Sequence, residues 1–104
     1  MSMYFREALG AVLREERNAK GMTLRATSSK GFIALGYLSE VERGQKEISS
    51  EPLDLLAKAL GVAPSEIVLR TAIRMAGLDV PDTPESLFDP RNMNWQRQYS
   101  DLLK

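Results

Sequence analysis

Two charged residues stand where amphipathic helices should carry apolar ones, and nothing else in the chain constrains its fold as much. Phe5, Leu9, Val12 and Leu13 follow the i, i+4, i+7, i+8 spacing of a helix with one apolar face. One turn beyond Leu13 the stripe lands on Arg17. A second segment, Ala34 to Gly44, carries Leu38 and Val41 on one side, and Glu42 follows Leu38 by one turn on the same buried edge. A lone buried charge is strongly disfavoured. The two residues are therefore expected to pair across the core, the planar guanidinium holding the carboxylate through two parallel hydrogen bonds. The alternative is that Arg17 snorkels out to water. The pairing decides the fold, because it sets where the two helices meet.

The rest of the pattern is an all-α domain of five helices with a short helical extension. The first helix is expected from about Tyr4 to Lys20, stopped by Gly21. A second starts after the N-cap Thr23 and is weak from Leu24 to Lys30, since Thr27, Ser28 and Ser29 are middling to poor helix formers. Gly31 breaks it, and Phe32 and Ile33 form an apolar turn expected to plug the core. The Ala34–Gly44 helix follows. A helix, a tight turn and a second helix in this space form the helix-turn-helix pattern.

After the polar loop Gln45 to Ser49, Ser49 or Ser50 caps a fourth helix with Pro52 in its first turn. Its buried stripe is Leu53, Leu56, Ala57 and Leu60, and Gly61 ends it. Pro64 opens a fifth helix that runs to about Ala76 before Gly77. Ile67, Val68, Leu69, Ala72, Ile73, Met75 and Ala76 cover more than one of its faces. Such a helix is buried on two sides, one against the core and one against a partner. Val80-Pro-Asp-Thr-Pro reads as a linker, which divides the chain into a domain over 1–77 and an extension over 78–104. In the extension, Thr83-Pro84-Glu85 begins a helical turn bearing Leu87 and Phe88. Asp89-Pro90 begins a last helix with Trp95, Tyr99, Leu102 and Leu103 on one face.

Composition narrows the function. The chain has 104 residues, no cysteine and no histidine. Disulfides, thiolate metal sites and the commonest acid–base catalyst are thereby excluded, and no enzyme activity, metal or cofactor is expected. The start of the chain does not read as a signal peptide, and no apolar run approaches membrane-spanning length, so a cytoplasmic protein without membrane partners is expected. Formal charge is zero, which taken alone argues mildly against nucleic acid. Residues 1–50, however, carry eight bases and six acids, a surplus of +2. A local positive patch belongs in that half.

Arg17, Gly21, the helix pair, Val41-Glu42-Arg43-Gly44 and Leu56-Ala-Lys-Ala-Leu-Gly61 together resemble the helix-turn-helix family of phage repressors and xenobiotic-response-element regulators. The likeness covers Phe5 to Ala76 and implies a lambda-repressor-like fold. In that family an arginine late in the first helix pairs with a glutamate late in the recognition helix, and Arg17 and Glu42 fall on those positions. Thr23-Leu-Arg with Ala34 through Glu51 is similar to the actinobacterial regulators of Clp protease genes, which implies a transcriptional activator of proteolysis genes. Departures lie in the second helix and the turn. The family usually has Leu-Ala where Thr27-Ser28 stands, an apolar residue at Gly31, a glycine or small residue at Phe32 and a glutamine at Leu24.

In this architecture the second helix of the pair enters the major groove with its N-terminal residues leading. Leu35 then suits a thymine methyl, Gly36 lets the backbone come close, and Ser39 and Glu40 reach base edges. Thr23, Arg25, Lys30, Tyr37, Arg43 and Lys46 are phosphate candidates. Tyr37 is equally suited to packing on the domain's own surface, and Leu35 to covering the turn. Double-stranded DNA is the expected partner, bound at an inverted repeat by a homodimer built on Leu69, Ile73 and Ala76. Leu87, Phe88, Trp95, Tyr99 and Leu102 buttress it, packed on the fifth helix. An activator implies RNA polymerase as a further partner, and the C-terminal Leu102-Leu103-Lys104 suggests recognition by Clp protease. The competing function is a protein-interaction module of the same fold, as in antitoxins or bridging factors.

Overall fold

The structure, a computed structural model, describes residues 3–78 and 94–103. Their regular secondary structure is helical throughout: α1 (Phe5–Ala19), α2 (Leu24–Lys30), α3 (Leu35–Glu42), α4 (Ser50–Leu60), α5 (Pro64–Met75) and α6 (Asn94–Leu102). No described helix is long and apolar enough to cross a membrane. The expected linker, the turn bearing Leu87 and Phe88 and the Asp89-Pro90 start lie outside the described residues.

α1 is the backbone of the domain, with α3 and α5 both packed on it. Leu9, Val12 and Leu13 meet Leu38 and Val41 of α3, Leu56, Ala57 and Leu60 of α4, and Ile67 of α5 in one core. Phe5, counted in the same stripe, lies in the first turn of α1, beyond the reach of that core, and is 42% exposed. At the other end, α1 closes on Gly21 at φ 66°, a left-handed position where glycine carries no penalty.

α3 comes unusually near to α1. A β-carbon on Gly10 would sit 2.3 Å from the Val41 carbonyl oxygen and 2.8 Å from that of Glu42. Glycine within a helix costs about 1 kcal/mol relative to alanine, and here it lets the last turn of α3 lie directly on α1.

α2 forms despite its poor propensity because its hydroxyls are used internally. Thr23 Oγ1 accepts from the Ala26 N–H at 3.0 Å, a side-chain N-cap. Buried Thr27 donates to the Thr23 carbonyl at 2.9 Å, and buried Ser28 donates to the Ile33 carbonyl. Polar residues thus occupy positions where the family carries apolar ones, with no polar atom left bare.

The turn differs from expectation. Phe32 does not plug the core: it is 85% exposed and sits at φ 54°, the one non-glycine residue at positive φ among those described. Gly31 takes the buried place at φ −91°. A β-carbon on it would lie 3.2 Å from the Thr27 carbonyl oxygen and 3.4 Å from Leu56 Cδ2, so even a methyl group there is tightly held. Ile33 alone packs inward from the turn.

α5 also divides differently from expectation. Ile73, assigned to a dimer face, is 1% exposed, because its register on the helix turns it inward with Ile67. Leu69 and Ala76 are half-buried. The solvent face carries Val68 and Met75, each 43% exposed, with exposed Ala72 between them. Buried Arg70 and half-buried Arg74 reach Glu15 of α1, Arg70 at 3.8 Å, which clamps the two helices together. On α6, Tyr99 and Leu102 are 41% and 59% exposed, so the single chain buries neither of them, and the side chain of Trp95 lies outside what the structure describes.

Gly10→Ala is expected to destabilise the domain by about 3 kcal/mol or more, because the colliding atoms are backbone and cannot rotate away. Urea denaturation of the two proteins measures the loss.

Candidate nucleic-acid interface

α3 has two unlike faces. Leu38, Val41 and Glu42 are buried, whereas Gly36 and Arg43 are exposed and Leu35, Ser39 and Glu40 half-buried. The four residues expected at base edges, Leu35, Gly36, Ser39 and Glu40, are therefore all open to an approaching ligand. Gly36 is notable for what surrounds it. A β-carbon there would meet nothing within 4 Å, so the domain's own packing does not require glycine in the first turn of this helix.

The flanks are basic. Thr23, Arg25 and Lys30 are exposed around α2, and Arg43 and Lys46 are exposed at the far end of α3 and in the loop after it. The chain has no acid between Glu16 and Glu40. Glu40 is the first carboxylate on this side, and Lys46 Nζ stands 3.9 Å from its Oε2. Arg43 donates to Gln45 Oε1 at 3.3 Å, so Gln45 also orients the cation nearest to it.

Tyr37 has another task than phosphate binding. Its ring packs against the core and its hydroxyl donates to the Glu47 carbonyl at 2.9 Å. The oxygen left over can only accept, while a phosphate needs a donor. Tyr37 instead pins the 45–49 loop that carries Lys46. Arg6, stacked over the Tyr4 ring at 4.6 Å, holds the same loop from α1 through Glu47 Oε1 at 3.4 Å.

Beneath the surface Arg17 fixes the angle of α3. Its Nε donates to Glu42 Oε2 at 2.8 Å and its Nη2 to Glu42 Oε1 at 3.0 Å. Nη1 donates to the Met22 carbonyl at 2.9 Å. The Glu42 side chain is 2% exposed and that of Arg17 14%. Arg14 adds a second cation, its Nε 3.7 Å from Glu42 Oε1. One guanidinium thus joins the last turn of α1, the link to α2 and the last turn of α3.

The sequence profile of the helix-turn-helix family matches residues 13–67, just over half of the chain. The chain belongs to the helix-turn-helix family. It is 45% identical over 76 residues to the transcriptional regulator ClgR of Mycobacterium tuberculosis, covering 73% of this chain and 68% of that protein. The crystal structure of the clp gene regulator ClgR from Corynebacterium glutamicum superposes with a TM-score of 0.70 at 45% identity, covering 73% of this chain and 81% of that one. The restriction-modification controller protein C.AhdI from Aeromonas hydrophila matches with a TM-score of 0.59 at 34% identity, over 60% of this chain and 94% of that one.

In this helix-turn-helix protein the supporting residues Gly10, Arg14, Arg6 and Gln45 were absent from the expected site. Gly10 had a signal, a glycine inside an otherwise strong helix. Arg6 and Gln45 had none, since their roles depend on where a loop comes to rest.

Glu42→Ala is expected to cost roughly 3–5 kcal/mol, because it strands a largely buried guanidinium. Replacing Arg17 and Glu42 together with apolar residues should cost much less. A double-mutant cycle by urea denaturation checks this, and additive losses would contradict it.

Proposed function

We propose that this chain is a transcriptional regulator that binds double-stranded DNA through α3 as a two-fold dimer and activates genes of Clp proteolysis. The observation that carries the DNA reading is Gly36. Helix propensity disfavours glycine there and packing does not ask for it, so its use lies in close approach of an outside surface to the helix backbone. The acid-free run around it supports a polyanion as that surface. The clp gene regulators among its relatives support the choice of target genes.

Gly36→Ala should therefore raise thermal stability by about 0.5–1 kcal/mol and weaken DNA binding. Operator fragments selected from genomic DNA, followed by fluorescence anisotropy, provide the binding measurement. A stabilised variant that binds as well as the parent would remove Gly36 from the interface.

Leu35, Ser39 and Glu40 are assigned to specificity, and Arg25, Arg43 and Lys46 to general affinity. Glu40→Ala should change the preferred base at one half-site position by about 1–3 kcal/mol. Lys46→Ala should weaken all sites alike and lower the salt slope by about one unit. Parallel site selection with both variants separates the roles, and the opposite pattern would reverse the assignment.

Dimerisation is assigned to the outer face of α5, Val68, Ala72 and Met75, flanked by Leu69 and Ala76. Two such domains place their recognition helices one DNA turn apart, roughly 34 Å, which calls for an inverted-repeat operator. The exposed Tyr99 and Leu102 of α6 supply further apolar area. A charge at the centre of the face, Ala72→Glu, should give a monomer by light scattering at micromolar concentration, while Ile73→Val should only loosen the fold.

A further inference from the structure

α3 carries two carboxylates, and they are partnered in opposite ways. Glu42 is buried and takes two hydrogen bonds from Arg17. Glu40 lies on the open face, where Lys46 Nζ at 3.9 Å is the one cation within 4 Å of it among the described residues. Arg43, the nearest other base along the chain, is turned to Gln45 instead. An ion pair open to solvent at that distance holds weakly, and a stronger partner draws either member off.

DNA supplies that partner to one member only. The loop carrying Lys46 is anchored at Glu47 by Tyr37 and Arg6, so Lys46 keeps its place while its long side chain is free to turn. A phosphate attracts Lys46 whatever the base sequence. Glu40 then stands without its cation beside a polyanion, a like-charge contact that costs affinity. A base edge relieves that cost only by donating a hydrogen bond, and the cytosine amino group is the donor that suits a carboxylate. Guanine and thymine present only acceptors in the major groove, which deepen the repulsion.

We infer that Glu40 selects its site by rejection: Lys46 passes from Glu40 to a phosphate on every sequence, and the bared carboxylate weakens the complex wherever no base donor meets it. The inference deepens the DNA-binding reading above and rests on it. Specificity at this position then comes from poorer binding to wrong sequences more than from tighter binding to the right one.

The test uses the full chain, a duplex selected with it from genomic DNA, and the same duplex with both half-sites scrambled, each titrated by fluorescence anisotropy. Glu40→Gln keeps the shape of the side chain and removes its charge. It should bind the scrambled duplex about five- to tenfold more tightly than the parent, the scale of one like-charge contact at a protein surface. On the selected duplex it should stay within about threefold of the parent, because the lost cytosine bond is offset by the relieved repulsion. Glu40→Ala, which brings no amide of its own, should show the same gain on the scrambled duplex. The gain should keep its size in a Lys46→Ala background, since on DNA the pair is already open. If Glu40→Gln leaves the scrambled duplex unchanged and only loses affinity for the selected one, Glu40 attracts rather than rejects and the inference is overturned. If neither duplex responds, Glu40 is not at the DNA and the inference fails as well. A gain seen only in the Lys46→Ala background means that Lys46 stays on Glu40, which overturns the exchange. A parent that selects no DNA at all defeats the DNA-binding reading itself.

Discussion

Everything in this domain depends on an ion pair that apolar burial alone would not create. Arg17 and Glu42 meet through two hydrogen bonds at 2.8 and 3.0 Å, with the carboxylate almost wholly enclosed. Such a pair adds little net stability compared with apolar residues of the same size, because both charges must leave water. Its value is geometric. A fork of fixed shape accepts a carboxylate in few orientations, so the last turn of α3 can rest on α1 in few ways. The third bond, to the Met22 carbonyl, extends the constraint to the link that starts α2. Both helices of the pair are thus referred to the same side chain.

The parts of this fold that were legible in the sequence are those written as periodicity and punctuation. Helix starts at Thr23 and Pro64 and stops at Gly21, Gly44, Gly61 and Gly77 need only local chemistry, and each of these glycines does lie at positive φ. The ion pair was legible because charge interrupts an apolar stripe twice, and each interruption requires the other. Phe32 was misread because an apolar residue in a turn suggests burial, whereas the backbone angle at that position was the stronger fact. The family preference for a small residue there pointed to it. Ile73 does not lie on the outer side of α5 where it was expected, and Val68 does, because a helix apolar nearly all round gives no phase from composition. Only the packing of α5 on α1 sets it.

Of the candidate site, the open face of α3 and the ion pair beneath it were readable, and the bracing of the loop beside it was not. Leu35, Gly36, Ser39 and Glu40 follow from the phase set by Leu38 and Val41. The bracing of the 45–49 loop by Tyr37 and Arg6 joins residues far apart in sequence through one backbone carbonyl and one exposed carboxylate. Neither partner announces such a role by residue type. Tyrosine in particular serves equally as a phosphate ligand and as a strut, and only the destination of its hydroxyl hydrogen separates the two.

Gly10 and Gly36 act on the same short helix from opposite sides. The first removes a methyl group behind the last turn of α3, and the second leaves one out in front of the first turn. The helix is therefore mounted like a thin blade, with its rear edge flush against α1 and its leading edge bare. How near an outside surface can come to this helix depends on both clearances. A methyl group at Gly10 would push the whole edge outward, whereas one at Gly36 would leave the helix in place and hold an approaching surface off it. In either case every side chain along the edge would be offset from its mark, although none of them had changed.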